Sequence, residues 1–189
     1  IDSNMTGLIL DLRDNPGGLL NSAVNILDMF TEKGQLLVYT EGKTYKSKRK
    51  YFSKSEPLVP NELKITVLVN QGSASASEII AGVLQDVDRG VVIGRSTFGK
   101  GLVQTVINID RERSVKITSA KYFIPSGRLI QKPGYLPKEL LADTSSMDSI
   151  FFTKGGRTVS GLGGINPDYS VDLNNIEPLL SVSLRKGLF

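Results

Sequence analysis

A short apolar segment followed by a glycine-rich turn and a helix-forming segment occurs twice in this chain, and this repeated unit strongly constrains the fold. In the first copy, GLILDLR over residues 7–13 leads through DNPGG into LLNSAVNILDMF. In the second, ITVLVN over residues 65–70 leads through a Gly- and Ser-rich turn into SEIIAGVLQDV. Such apolar runs are typical of buried strands, and the segments after them have the apolar spacing of helices.

Further strands are predicted around these two units. We expect one over residues 35–40, a buried one at VVIG (residues 91–94), and a hairpin of LVQTVINI and VKITSAKYFI joined by DRER. Strands that alternate with helices and end in a hairpin predict an α/β fold with a layered mixed sheet and flanking helices. Functional sites in such sheets form at the carboxyl ends of the strands, where both glycine-rich turns and the FGKG segment fall.

The chain has 189 residues, of which 40% are apolar, and this predicts one globular domain. We expect residues 1–131 to form its main part and residues 132–164, rich in Pro, Gly, Ser and Thr, to be an irregular insertion. Residues 165–189 are expected to add a closing strand and a C-terminal helix. The chain begins at Ile1 and reaches a strand within seven residues, so we expect it to be a piece of a longer protein. No stretch approaches the roughly 18 apolar residues of a membrane span.

The chain contains neither histidine nor cysteine, and this excludes several kinds of chemistry. Catalytic triads with histidine, imidazole acid-base catalysis, disulfides and thiolate nucleophiles are all removed. A general base must therefore be Lys, Asp, Glu or Tyr. The net charge is only +4, and the one basic cluster, KTYKSKRKYFSK over residues 43–54, is typical of a solvated loop or hairpin. Nucleic acid is not expected as a partner.

Three serines stand where the second strand turns into its helix. The segment VLVNQGSASASEI contains Ser73, Ser75 and Ser77. A serine in such a turn can present its hydroxyl as a nucleophile beside the amides of a helix N-terminus. The same pattern is typical of an ordinary helix cap, and the local sequence does not choose between the two interpretations.

Lys100 is the candidate general base. It lies between two glycines in TFGKGLVQ, close to apolar residues, and a lysine in poorly hydrated surroundings favours its neutral, proton-accepting form. A surface lysine in a turn is the plain alternative. Residues 94–100 also have the glycine and lysine spacing of a phosphate loop, but Gly101 stands where that loop needs Ser or Thr and a strand pattern follows. Nucleotide binding is therefore not expected.

The turn DLRDNPGG contains Asp11, Asp14 and the pair Gly17–Gly18. Free N–H groups of a glycine pair suit an oxyanion hole, since backbone donors stabilise the negative charge that develops during acyl transfer. A tight turn with Asp14 as a cap of the next helix is the alternative interpretation, and we favour it for Asp14.

Four segments resemble, in order and spacing, the C-terminal processing (tail-specific) serine proteases. They are GLILDLRDNPGG, VLVNQGSASASEI, IGRSTFGKGLVQ and YFIPSGRLIQ, which together span residues 7–131. The resemblance implies a fold related to the ClpP and crotonase-like superfamily and a serine endopeptidase with a Ser-Lys dyad, without metal or cofactor. It also implies polypeptide substrates with unfolded or exposed C-terminal regions and a place in the bacterial cell envelope, the periplasm, and it leaves homo-oligomerisation open.

Matched position by position, the resemblance makes Ser75 the nucleophile, Lys100 the general base 25 positions later and Gln104 the residue that orients the base. It implies an oxyanion hole of the N–H groups of Ala76 and of either Gly17 or Gly18.

Two further expectations follow from the resemblance. Asp86 coincides with an acid of the family, and its spacing from Ser75 predicts a structural role. Lys100 and Gln104 would lie roughly 13 Å apart in an extended chain, so the FGKG loop must curl to bring them together, which its glycines permit.

The sequence also permits other interpretations of the domain organisation and the function. Family members usually carry a PDZ domain before the core, and no segment here is long enough to be one. The alternative functions are a catalytically inactive binding module with the same fold and, less favoured, a crotonase-like acyl-CoA enzyme.

Overall fold

The computed structural model describes residues 5–132, 150–161 and 163–171. Along the chain the elements are β1 (Gly7–Asp11), α1 (Leu20–Asp28), β2 (Leu36–Glu41), a 3₁₀ turn (Tyr45–Ser47), β3 (Arg49–Phe52), β4 (Lys64–Val69), α2 (Ala76–Asp86), β5 (Val91–Gly94), β6 (Leu102–Asn108), β7 (Ser114–Phe123), β8 (Ile150–Phe152), β9 (Thr158–Ser160) and β10 (Tyr169–Ser170). The strands and helices predicted up to residue 124 are all present, with ends shifted by at most two residues. The predicted C-terminal helix lies outside the described residues.

The strands form two four-stranded sheets and one short pair. One sheet is parallel, in the order β1-β4-β5-β10, and the other is antiparallel, in the order β3-β2-β7-β6. The α/β class is confirmed, but the single mixed sheet is wrong because the two kinds of pairing occur in separate sheets. The reason is that β6 and β7 pair with each other and then with β2, instead of extending the parallel sheet beyond β5.

The basic segment of residues 43–54 forms a hairpin arm, as one of its two interpretations predicted. It contains the 3₁₀ turn and β3, which pairs antiparallel with β2. Neither helix in the described part of the chain is long and apolar enough to cross a membrane.

Helix α2 lies inside the core, since all of its residues are buried. A helix that is buried on every side packs against elements all around it. Gly82 shows how close this packing is, because a Cβ atom there would lie 2.6 Å from Ile165 Cδ1 and 2.8 Å from Ile124 Cδ1. The same buried cluster joins α1, β2, β4 and β5 to α2. The N-terminus of α2, where Ser75 stands, is therefore fixed to the most buried element of the fold.

The insertion predicted as irregular contains regular structure where it is described. Strands β8 and β9 form an antiparallel pair, so the prediction is wrong for residues 150–160. Contacts with the end of α2 and with the segment before β10 hold this pair: the Lys154 N–H donates to the Asp86 carbonyl at 2.7 Å, and Arg157 forms ion pairs with Asp88 and Asp168. Strands of three residues carry too little periodicity to be recognised in a sequence. The division into core, insertion and closing segment stays a prediction.

Asp86 has the structural role that its position predicted. Its carboxylate contacts the Arg128 guanidinium at 2.8 Å, with exposed side-chain fractions of 0% and 2%, and it also accepts the Ser126 N–H at 2.9 Å. Burial raises the pKa of Asp86, while the Arg128 charge and the hydrogen bonds with Ser126 act in the opposite direction. The pair fastens the end of α2 to the segment after β7.

We predict that Asp86→Asn lowers the free energy of unfolding by about 3–5 kcal/mol, because removing one partner of a buried ion pair leaves the other charge uncompensated. Urea denaturation followed by circular dichroism measures the change. Asp110→Asn is the matched control, since the Asp110–Arg113 pair lies at the surface and should matter little. An equal effect of the two substitutions would contradict a stabilising role of the buried pair.

Candidate active site

Ser75 stands in a sharp turn between β4 and α2, as the sequence predicted. It is the residue before the helix, with φ 54° and ψ −114°. A positive φ in a residue other than glycine costs of order 1–3 kcal/mol and persists only where the surroundings hold it. The side chain is half-buried and opens into a cleft.

Ser73 supports this turn and is not itself exposed. Its hydroxyl is buried, donates to the Leu12 carbonyl at 2.7 Å and accepts the Asn70 N–H at 3.0 Å. Its own carbonyl accepts the Phe98 N–H at 3.0 Å. One serine thereby joins the ends of β1 and β4 to the loop that carries Lys100.

Asp14 does not cap α1, so this expectation is wrong. The residue before α1 is Leu19, and no side chain caps that helix. Asp14 instead pairs with Asn70: its N–H donates to Asn70 Oδ1 at 2.9 Å, and its carboxylate accepts from Asn70 Nδ2 at 3.0 Å. The contact joins the first glycine-rich turn to the second. It occupies the Asp14 carboxylate, which a helix cap would need.

Glu78 is the most important residue of the site that sequence reasoning missed. Its carboxylate is fully buried. Oε2 accepts the N–H groups of Ser75 and Lys100, both at 2.8 Å, and Oε1 accepts the Gly99 N–H and the Thr97 hydroxyl, both at 2.6 Å. The Ser-x-x-Glu pattern of a capping box was a signal for the first of these bonds; the other three depend on the tertiary fold.

The FGKG loop turns at Gly99 and packs against residues 131–132, and the approach of Lys100 to Gln104 stays a prediction. Gly99 has φ 87°, and a Cβ atom there would lie 2.7 Å from Lys132 Cβ. The Gly101 N–H donates to Gln131 Oε1 at 2.9 Å, and the Lys132 N–H donates to the Gly99 carbonyl at 2.9 Å. The two glycines thus allow a close approach that larger residues would prevent.

Tyr122 holds the other side of the Lys100 peptide. Its buried hydroxyl donates to the Lys100 carbonyl, and its N–H donates to the Gly101 carbonyl at 3.0 Å. Burial raises the pKa of Tyr122 well above its usual value, the Glu78 charge adds to this, and a hydrogen bond with Ser75 acts in the opposite direction. The phenol therefore remains a neutral donor. Together, Glu78 and Tyr122 hold both the N–H and the carbonyl of Lys100.

The three predicted catalytic side chains line one cleft of about 250 Å³. Ser75 and Lys100 lie on turns, and Gln104 lies on β6 directly after an irregularity in its pairing with β7. The other described lining residues include Leu20 and Ile79 from the helices, so part of the wall is apolar.

A second and larger cavity, of about 940 Å³, contains none of the three. Its described lining comes largely from the amino ends of β4 and β5, away from the glycine-rich turns. Within the described ranges, no group of three or more Asp or Glu side chains is placed to hold a metal ion.

The two candidate glycines have different surroundings. Gly17 has φ 90°, and a Cβ atom there would lie 2.4 Å from the Ala74 carbonyl oxygen and 2.7 Å from the Ala76 nitrogen, so only glycine fits. Its N–H already donates to Asn15 Oδ1 at 2.9 Å. Gly18 is exposed and lines the cleft, and in the described part of the chain neither its N–H nor that of Ala76 has a hydrogen-bond acceptor.

Comparison with known proteins places these features in a family. Residues 1–140 match the sequence profile of peptidase family S41. A carboxy-terminal-processing protease of Bartonella bacilliformis is 45% identical over 133 residues, which are 70% of this chain and 30% of that protein. The carboxy-terminal processing protease CtpA of Bacillus subtilis is 42% identical over 136 residues, which are 70% of this chain and 28% of that protein.

A solved structure agrees with the sequence relatives. The photosystem II D1 C-terminal processing protease matches with a TM-score of 0.64 and 33% identity, over 88% of this chain and 35% of that one. The chain thus spans about 30% of the length of the curated relatives it matches. Since the family profile covers most of the chain, including Ser75, Lys100 and the turns that hold them, the chain belongs to peptidase family S41.

Proposed function

We propose that this chain is the catalytic core of a serine endopeptidase in which Ser75 is the nucleophile and Lys100 the general base. One observation carries the proposal. The side chains of Ser75 and Lys100 open into the same cleft, while their backbone N–H groups bind the same oxygen of the buried Glu78 carboxylate. The backbone thereby positions the nucleophile and the base. This lowers the conformational entropy that the two residues must lose to reach the reactive geometry.

The reaction follows from these positions. The neutral amine of Lys100 accepts the proton of the Ser75 hydroxyl as Oγ attacks the carbonyl carbon of a peptide bond. The C–N bond then breaks, the leaving amine takes the proton from Lys100, and the acyl group stays on Ser75. A water molecule, deprotonated by the same lysine, then attacks the ester; the lysine returns the proton to Ser75 Oγ as the acyl group leaves as a carboxylic acid. Gln104, on the same cleft, orients the lysine amine.

Backbone donors hold the oxyanion in this proposal. The N–H groups of Gly18 and Ala76 have no acceptor among the described residues, and Ala76 begins α2, where the helix dipole adds positive potential. Gly17 has another task, since its N–H is bound to Asn15. Because Gly17 has no side chain, the first glycine-rich turn can pack against the turn that contains Ser75.

We infer the substrate class from the names of the relatives. Their names describe processing of carboxyl termini, and we propose that this core cleaves unfolded or exposed C-terminal regions of proteins in the bacterial cell envelope. A distant relation of the fold to ClpP and the crotonases belongs to the same proposal. An inactive binding module is less favoured, because Ser75, Lys100 and Gln104 are all present at one cleft.

We expect Ser75→Ala and Lys100→Ala each to lower the cleavage of an unstructured protein at least about 10³-fold, as removal of a nucleophile or base does in other serine hydrolases. Mass spectrometry of the products measures cleavage, and a fluorophosphonate probe measures the reactivity of the serine. Ser22→Ala and Lys64→Ala, both at exposed positions, are the matched controls. Unchanged cleavage by Ser75→Ala would refute the proposal.

Glu78→Gln should lower kcat about 10- to 100-fold with KM within about twofold. The amide keeps the shape of the side chain, but one of its two ends no longer accepts hydrogen bonds, so two donors of the loop or turn lose their partner. Steady-state kinetics together with thermal unfolding test this. Glu32→Gln, an exposed carboxylate, is the control. A fall in Tm with unchanged kcat would show that Glu78 supports only the fold.

Tyr122→Phe should lower kcat about tenfold, because the Lys100 carbonyl loses its donor while the ring still fills its site. The stability loss should be about 1 kcal/mol, as for one hydrogen bond. Single-turnover kinetics would locate the effect in acylation. Tyr51→Phe, at another partly buried tyrosine, should leave acylation unchanged; an equal effect of both substitutions would remove the positioning role.

A further inference from the structure

The cleft beside Ser75 carries positive charge and no negative charge among the described residues that line it. The basic side chains on it are those of Lys100 and Lys116. Glu78, which lies directly behind the cleft, is fully buried and already accepts four donors. Because Lys100 is the base in the proposed reaction, Lys116 is the basic side chain of the cleft that is left to bind a substrate.

The strand pairing directs Lys116 to the same face as Gln104. Gln104 pairs with Thr118 and Val106 pairs with Lys116, without an irregularity between them. Side chains two residues apart on a strand share a face, so Gln104, Val106 and Lys116 point to the cleft side of the β6–β7 ribbon.

The other face of this ribbon is apolar. It carries Ile107, Val115 and Ile117, all at least 39% exposed. Lys116 forms no ion pair with any described acidic residue, whereas Arg113, near the tip of the ribbon, is paired with Asp110. A lysine without a partner on the face that borders the cleft is available to a ligand.

We propose that Lys116 binds a carboxylate of the substrate and so selects where the chain is cut. The inference rests on the proposed function, with Ser75 as the site of cleavage. Lys116 pairs with Val106, which is two residues after Gln104 on β6, so it lies roughly 7 Å beyond Gln104 along the ribbon. An extended substrate advances about 3.3 Å per residue. Because Lys116 and Ser75 line the same cleft, this places the carboxylate within a few residues of the scissile bond.

Two chemical sources supply such a carboxylate. One is the side chain of Asp or Glu, on either side of the scissile bond. The other is the terminal carboxylate of the substrate, which can lie only on the leaving-group side and would place cleavage a few residues from the end. Both are attracted by the same ammonium group, and a peptide series separates them.

The test measures cleavage by the wild-type chain and, independently of catalysis, binding by Ser75→Ala. Unstructured peptides of one apolar sequence end in a carboxylate or a carboxamide, and a second set places Glu, Gln or Lys at each position around the cut. Kinetics give kcat/KM, and fluorescence anisotropy gives Kd. Low salt keeps screening small.

In the Lys116→Glu variant, we expect the preference for a carboxylate over its neutral counterpart to fall about tenfold and the Lys-containing peptides to gain. A fall confined to the terminal pair identifies the chain terminus, and a fall confined to the Glu and Gln pair identifies a side chain; either supports the proposal. Arg111→Glu makes the same charge change at the exposed tip of the ribbon and should leave the preference unchanged.

Equal preferences in the wild-type and Lys116→Glu chains would overturn this role of Lys116 while leaving Ser75 as the nucleophile. The same shift in Arg111→Glu would also overturn it, because the cause would then be net charge. A wild-type chain that neither cleaves nor reacts with the serine probe would contradict the proposed function instead, and binding by Ser75→Ala would still decide the role of Lys116.

Discussion

The site depends on one buried carboxylate. A carboxylate removed from water costs several kcal/mol unless donors replace the lost hydration, and Glu78 has four donors, from Ser75, Thr97, Gly99 and Lys100. Three of these donors lie on the loop that follows β5. If this loop moved away from α2, the charge would be left in an apolar core. The first turn of α2 and the Lys100 loop are therefore stable only together, and the spacing of Ser75 and Lys100 follows from that docking.

The topology explains why these segments meet. The carboxyl ends of parallel strands lie at one edge of a sheet, so the turns after β1, β4 and β5 converge, and Ser73 bonds to backbone in all three. The third turn then leaves the parallel sheet and enters the antiparallel one, which contributes Gln104 and Tyr122. The cleft lies where the two sheets meet, so its geometry requires both, although Ser75 and Lys100 belong to turns of the first.

The sequence predicted what depends on local pattern. Apolar runs and glycine-rich turns located the elements up to residue 124, and the resemblance led to Ser75, Lys100 and Gln104, which share a cleft. Glu78 was missed because a glutamate on a helix normally faces water, and its burial depends on residues about 20 positions later. The mixed sheet was wrong for a similar reason, since the pairing of β7 with β2 joins distant segments. Whether the assigned residues act as proposed remains a prediction.

Backbone strain at Ser75 is a further consequence of this docking. Ser75 and Asp14 both have a positive φ, each at a cost of order 1–3 kcal/mol, and the two turns that contain them are joined by the hydrogen bond from the Ala74 N–H to the Asn15 carbonyl at 3.0 Å. Neither turn can relax alone: Asp14 is held by Asn70, and the Ser75 N–H is held by Glu78. Because α2 is buried on every side, it cannot shift to relieve the turn, and the Ser75 hydroxyl stays exposed to the cleft.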